Sequence, residues 1–553
     1  MSDLRKKGLI ALIWDFLGRV LTQASSFIVT ILLARMLSPS DFGVIAIVMV
    51  VVGITQIFAD VGLSTALIQR KKLLEIHYSS VFLLNLCFAL VLASLLFLAA
   101  NSIAQFYQIG SLVPLLQVVS VLFILNGLST VQYTKLKREL NYKLLSKIEF
   151  SSSFASGISG VICAVYGFGV WSLVVQIILQ STFKAALLWY FSGWRPKLGF
   201  SLKALKQLWK FGFRMFLVAM LNAITERIDY LVIGKLFNSA ELGFFQRAKS
   251  VNLLVVQYSS ASLMSVLFPV FSKIQNDTVR LKSLVLKVTN LLSLLVFLLI
   301  GGLYINAEPL IILLYGSKWA ASVPLLEVLL LSAFSYPINA LLVNILSGRG
   351  NSKAFLRMAM IKKSIFVINL FIGFYWGLMG YLYGLVAVAI LNTSISVAFA
   401  SREIRMAPYQ FYKPILIQLL IASFSAFTAL LFQHYFTLAL LAKHFISSLI
   451  FLYSFLLLNF IFKTKAIKLR KQSLKKLAKL ITFFPIKNAE LTTINLVMQL
   501  LKERVEEVVF QILIFQIFFQ IFLVQILLMI FLKVLVERGE EDGENLQITE
   551  AKI

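Results

Sequence analysis

A chain of 553 residues with 59% hydrophobic and only 14% charged side chains has a mean hydropathy of +0.89, whereas a soluble domain carries about a quarter charged residues. Its 52 lysines and arginines against 24 acids leave a net charge of +28, which in so apolar a chain is read against a membrane before nucleic acid. Two cysteines inside apolar runs, Cys87 and Cys163, and three scattered histidines, His77, His434 and His444, exclude a disulfide framework and argue against a metal centre or other cofactor.

A helix needs about 20 apolar residues to cross the hydrocarbon layer. That ruler predicts fourteen spans, at about 9–34, 42–69, 79–103, 112–133, 148–166, 170–192, 212–234, 242–270, 288–306, 322–346, 358–376, 379–400, 414–433 and 444–462. The first carries Asp15 and Arg19 and leads at once into the second, so it reads as a retained anchor and not a cleaved signal peptide. Alternate loops sort by charge: one set holds 36 lysines and arginines, the other only Arg35, Lys235, Lys318 and Lys443. Cytoplasmic loops carry the basic excess, so the N-terminus is expected in the cytoplasm. The net charge is then mainly a topology signal, and a nucleic-acid partner is not needed to explain it.

An internal repeat accompanies this pattern. Shifted by 200 residues, 31–43 superposes without a gap on 231–243, setting Arg35 against Lys235, Asp41 against Glu241 and Gly43 against Gly243. Shifted by about 210, Tyr166–Trp171 meets Trp376–Tyr381. Spans 1–6 and 7–12 are therefore two copies in the same orientation, as in transporters that rock two halves about a central site. The expected architecture is all-α and integral to the membrane: an N-terminal lobe at 1–192, an interfacial cytoplasmic linker helix at 193–211, a C-terminal lobe at 212–401 and two extra spans at 402–465. In the linker, Leu202, Leu205, Leu208 and Trp209 share one face with lysines between them, the pattern of a helix lying on a membrane surface.

Three strings, Leu33–Gly43, Phe58–Gln69 and Asp229–Lys235 running into Leu242–Ala248, resemble the polysaccharide-lipid flippases (Wzx-type translocases) of the multidrug/oligosaccharidyl-lipid/polysaccharide exporter superfamily. The resemblance covers residues 1 to about 465. It implies a V-shaped pair of six-helix lobes in the bacterial cytoplasmic membrane, moving a polyprenyl-diphosphate-linked oligosaccharide from the cytoplasmic to the outer leaflet for lipopolysaccharide or exopolysaccharide synthesis. Membrane lipids, a polysaccharide polymerase and export machinery are the implied partners. A drug or cation exporter and a peptidoglycan-precursor flippase are the alternatives on the same scaffold. An integral-membrane glycosyl polymerase or ligase would need a sizeable external loop with catalytic polar groups, and the longest here, about 307–321, contributes only Glu308 and Lys318.

Ionisable residues inside spans are costly and usually face a watery interior. The basic ones are Arg19, Lys184, Arg227, Arg247 and Lys249; the acidic ones are Asp15, Asp60, Glu226, Asp229 and Glu327, with Glu149 near a helix end. Distance from the hairpin turns matches Arg19 with Asp60 and Asp229 with Lys249 in depth, while Asp15 and Arg19 lie one turn apart on one helix. Arg227 and Arg247, with no acid at a matched position, are the expected diphosphate ligands, joined by Arg19 and Lys249, because guanidinium forks suit phosphate oxygens. Lys184 is expected to snorkel to the interface. Coupling to H⁺ or Na⁺ falls to Asp60, Glu226 and Asp229; Glu226 and Asp229, three apart on one face, have the spacing to share a cation, and structural pairing is the competing role for each. The Gly-x-x-x-Gly strings at 373–377 and 380–384 read as close helix packing, and Pro324 and Pro337 as kinks in span 10. Beyond 466 a basic amphipathic stretch precedes a run at 508–532, which is either a fifteenth span or an extension without a transport role.

Overall fold

The computed structural model describes residues 2–462 apart from 71, 198, 254–270, 272, 273, 276, 350 and 437–439. The segment 466–553, with its candidate fifteenth span, and most of the eighth candidate span lie outside the described residues. Those described form helices and no strand. Eleven helical runs among them are long and apolar enough to cross a bilayer, against the fourteen expected. The helices over 212–234 and 358–376 are present, but Arg214, Glu226, Arg227 and Asp229 in one and Lys362 and Lys363 in the other interrupt their apolar runs. By its contacts the chain forms two compact units, Met1–Gln246 with Leu314–Trp319, and Arg247–Leu313 with the chain from Ala320 on.

The first unit holds α1 (Ser2–Met36), α2 (Pro39–Asp60), α3 (Leu63–Gln69), α4 (Glu75–Tyr107), α5 (Leu112–Val119), α6 (Val121–Arg138), α7 (Tyr142–Val165), α8 (Trp171–Phe191), α9 (Leu202–Leu236) and the start of α10, described over 239–253. The expected span 42–69 is broken in two. Val61 and Gly62 take positive φ of 46° and 71°, and the Asp60 carboxylate caps the new helix by accepting from the Ser64 amide at 3.1 Å and its hydroxyl at 2.5 Å. Gly62 is also required by space, since a Cβ there would lie 2.1 Å from the Gly212 carbonyl oxygen.

The expected linker helix is not separate, because α9 runs unbroken from Leu202 through the seventh span. Its apolar face is divided: Leu205 and Leu208 are buried in a core with Leu63, Leu67, Phe82 and Trp194, while Leu202 and Trp209 are exposed. Lys203, Lys206 and Lys210 are exposed, as their spacing predicts.

The repeat is visible in detail at the two hairpin turns. Ser38 caps α2 in a reciprocal box with Asp41, and Asn238 caps α10 in a related way, its side-chain oxygen accepting from the Glu241 amide at 2.8 Å and its side-chain amide donating to the Glu241 carboxylate at 3.2 Å. The turns interlock: a Cβ on Gly43 would lie 1.6 Å from the Ser239 carbonyl oxygen, and one on Gly243 would lie 2.0 Å from that of Pro39. The basic residue at the end of each preceding helix reaches a carbonyl, Arg35 that of Leu314 at 3.1 Å and Lys235 that of Phe106. Trp319 packs between Phe42 and Phe244 and donates its indole N–H to the Ala34 carbonyl at 2.9 Å. Lys318 caps the last turn of α1 through the carbonyls of Arg35 and Leu37, where a cation meets the negative end of the helix dipole. Burial pushes its ammonium below the ordinary lysine value, opposed by the charge of Asp41.

The second unit is built around α11 (Thr278–Ile305), followed by α12 (Ala307–Tyr315), α13 (Ser322–Ala333), α14 (Ser335–Gly348), α15 (Ser352–Tyr375), α16 (Gly377–Glu403), α17 (Tyr409–Tyr435) and α18 (Leu440–Ile461). The expected external loop 307–321 is thus largely helical. α11 is buried along most of its length and packs on α17 and α18. The tenth span breaks between α13 and α14, three residues before Pro337. Close packing of α15 on α16 follows the glycine strings, since a Cβ on Gly384 would lie 1.8 Å from Asn369 Oδ1. The α7–α8 and α15–α16 junctions, matched in the repeat, both turn on a left-handed glycine, Gly167 at φ 79° and Gly377 at φ 80°.

Candidate functional site

The candidate residues of the first unit gather on α1, α2 and α9. Arg227 lies across the backbone of α2, its Nη1 donating to the Met49 carbonyl at 2.9 Å. Gly53 makes the approach possible, because a Cβ there would stand 2.3 Å from the guanidinium carbon. Among the described residues no carboxylate pairs with Arg227, and one hydrogen bond leaves most of its five N–H donors available. Glu226 on the same helix is exposed and makes no ion pair among the described residues, while Asp229 is buried, with Oδ1 accepting from the Tyr230 amide at 2.9 Å. The two acids thus occupy different environments despite their shared face.

The expected Arg19–Asp60 pair does not form. Arg19 Nε instead donates to Asp15 one turn back in α1 at 2.9 Å, with the Arg19 side chain 74% exposed. Asp60 spends its Oδ1 on Ser64 and on Asn85 Nδ2 at 3.3 Å. Depth alone does not bring the two side chains face to face, since α1 packs along α7 while α2 packs along α9 and α4. Lys184 does not snorkel free: it pairs with Glu149 at 3.6 Å and lies 4.6 Å from the Tyr133 ring centre. Arg247 is buried and Lys249 half-buried at the start of the second unit.

Two features of the second unit escaped sequence reading. One is an apolar groove of about 660 Å³ along α11, α16 and α17, lined by Phe297, Tyr304, Phe334, Leu416 and Phe427 among others, with Thr393 as a polar point in its wall. The other is Lys362, counted with the cytoplasmic loop charges. Asn351 caps α15, accepting from the Ala354 amide at 3.1 Å, so the helix starts early and carries Lys362 into the bundle. The cap signal, an asparagine followed by Ser352 and Lys353, stands in the sequence.

The comparisons agree with this architecture. The succinoglycan biosynthesis transport protein ExoT of Rhizobium meliloti is 30% identical over 321 residues, 58% of this chain and 65% of that protein, so the match falls short of two thirds of its length. The lipopolysaccharide biosynthesis protein WzxC of Escherichia coli is 24% identical over 74% of this chain and 84% of its own. The teichuronic acid biosynthesis protein TuaB of Bacillus subtilis is 30% identical over 50% of this chain and 57% of its own. Among solved structures, the lipid II flippase MurJ in its inward closed conformation superposes with a TM-score of 0.65 at 17% identity, covering 83% of this chain and 100% of that one. An inward-facing MATE family multidrug resistance transporter of the MOP superfamily gives 0.53 at 14% identity, covering 70% and 94%. These two likenesses show a shared fold. The family profile described as polysaccharide biosynthesis protein matches residues 32–324, more than half of the chain, and the chain is a multi-pass membrane protein belonging to that family.

Proposed function

We propose that this protein is a flippase that carries a polyprenyl-diphosphate-linked oligosaccharide from the cytoplasmic to the outer leaflet of the bacterial inner membrane, for the synthesis of a surface polysaccharide. The family match over 32–324 carries the reading, on a chain built from two repeat copies whose outer hairpins interlock. It is a transporter and not an enzyme. The N-terminus lies in the cytoplasm, as the basic loops require. Arg227, with most of its donors available, and Arg19, Arg247 and Lys249 are the residues assigned to the diphosphate. Asp60, Glu226 and Asp229 are assigned to a coupling H⁺ or Na⁺. The groove along α11, α16 and α17 is apolar, and its volume of about 660 Å³ has room for isoprene units of the carrier chain. A polymerase and export machinery receive the product on the far side.

The test is reconstitution in liposomes containing a labelled polyprenyl-diphosphate oligosaccharide, timing the appearance of label on the opposite leaflet. Protein-dependent transfer is expected, and it should quicken when a proton or Na⁺ gradient is imposed. No transfer, in liposomes where the same preparation exports an organic cation, would replace this reading with that of a drug exporter.

A further inference from the structure

Lys362 stands ten residues inside α15, about 15 Å along the axis from its first residue, and it is half-buried. Its Nζ donates to Asn339 Oδ1 on α14 at 3.0 Å and to Ser396 Oγ on α16. The Ser396 hydroxyl donates to the same Asn339 oxygen at 2.5 Å. The other end of Asn339 is fixed as well, its Nδ2 donating to Ser335 Oγ at 2.6 Å and reaching Thr393 Oγ1 at 3.4 Å. Asn339 is therefore locked with its carbonyl toward the lysine, and the ammonium is oriented by two neutral oxygens with a third N–H to spare.

The charge of this ammonium is not cancelled within its own helices. Between residues 335 and 403 there is one carboxylate, Glu403, against Arg349, Lys353, Arg357, Lys362, Lys363 and Arg402. Glu403 is already held by Arg349 Nε at 3.0 Å and by the Asn351 amide at 2.7 Å near the ends of α14 and α16. In the first unit the mid-helix Lys184 has its own acid, Glu149 at 3.6 Å. A cation inside a membrane segment is costly unless something neutralises it, and a position that needed only a hydrogen-bond donor to Asn339 would be filled more cheaply by a neutral side chain. Among the described residues this charge has no acidic partner, which points to an oxyanion brought by a ligand.

From this geometry we infer that Lys362 is an oxyanion-binding site of the second unit, completed by an acidic oxygen of the transported glycolipid. The inference rests on the flippase reading and adds to it a site and the chemistry of its ligand. A lysine, a compact point charge, suits a single carboxylate or phosphoryl oxygen, in contrast to the forked contacts expected of Arg227. The oxygen belongs either to the diphosphate of the carrier or to an acidic sugar. Thr393, which lines the apolar groove, belongs to the same hydrogen-bonded set, so the site and the groove share a wall.

The experiment uses the full chain in phosphatidylcholine nanodiscs and three probes: undecaprenyl diphosphate without sugar, and undecaprenyl diphosphate bearing either a neutral or a glucuronate-containing disaccharide. Lys362→Met should weaken binding at least tenfold, and Lys362→Arg should stay within about threefold of the parent. Loss on the sugar-free probe assigns the oxygen to the diphosphate; loss confined to the glucuronate probe assigns it to the sugar. Should the methionine variant fail to fold, Lys362→Gln replaces it under the same criteria. Unchanged affinity of the neutral variant for every probe overturns the inference while leaving the flippase reading intact. A parent protein that binds no probe overturns both.

Discussion

Arg227 and Gly53 form a pair in which the smaller residue decides what the larger one can do. With a Cβ placed 2.3 Å from the guanidinium carbon, Gly53→Ala must displace the arginine from its seat on the Met49 carbonyl. Overpacking of this kind costs about 1–3 kcal/mol when it cannot relax, but a flexible guanidinium relaxes readily, so the damage should fall on position and not on stability. Gly53→Ala is expected to slow translocation about tenfold with normal insertion and thermal stability. Arg227→Ala should slow it at least as much, and the double variant should be no worse than Arg227→Ala alone, because residues sharing one contact are not additive. Additive losses in the liposome assay would separate Gly53 from Arg227. Asp60 allows a similar division. Asp60→Ala removes the cap of α3 and should lower stability by about 1 kcal/mol, whereas Asp60→Asn keeps an acceptor oxygen for Ser64 and should leave the melting temperature nearly unchanged.

At the level of elements, the hairpin interlock makes the repeat a physical object. Gly43 and Gly243 each meet the carbonyl at the start of the other copy's second arm, and backbone cannot yield as a side chain tip does. Gly43→Val and Gly243→Val should therefore each lower the melting temperature, by similar amounts because the contacts are related by the repeat, and each should raise the reactivity of thiols engineered into the turns toward a membrane-impermeant maleimide. A large effect from one and none from the other would mean the two contacts are not equivalent. The repeat behind this interlock was legible before the structure, since the 31–43 and 231–243 match preserves Gly43 with Gly243, Asp41 with Glu241 and Arg35 with Lys235, but the contact between the two turns was not. Nor were other features. The helix break at Asp60–Gly62 follows from a local cap and from positive φ that a hydropathy ruler averages away. Depth matching paired Arg19 with Asp60 because it counts position along each helix and not which neighbour each face meets, and α1 packs along α7 while α2 packs along α9. Lys362 was assigned to a loop since charge alone, without the Asn351 cap, marks a loop as easily as a buried network.

For the whole molecule, translocation of a charged headgroup against a gradient requires an ion whose binding differs between conformations. Asp60 is suited to that role by what surrounds it. Its described partners are a serine, that serine's amide and an asparagine, all neutral, so no fixed cation competes with H⁺ or Na⁺ for the carboxylate. It also sits where α2 gives way to α3 against the long α9, which carries Arg227 two turns and more from its end. Any change in the charge of Asp60 is thus felt at a helix break, where a few element-terminal residues can absorb a change in φ and ψ. Since Asp60→Asn preserves the cap, it isolates the charge. In liposomes with an imposed gradient, this variant should retain gradient-free equilibration of the labelled glycolipid across the leaflets while losing the acceleration produced by the gradient. Loss of both rates together at a normal melting temperature would move Asp60 from ion coupling to the substrate path. A variant still accelerated as strongly as the parent would transfer the coupling role to Glu226 or Asp229, where the corresponding amides, Glu226→Gln and Asp229→Asn, repeat the measurement.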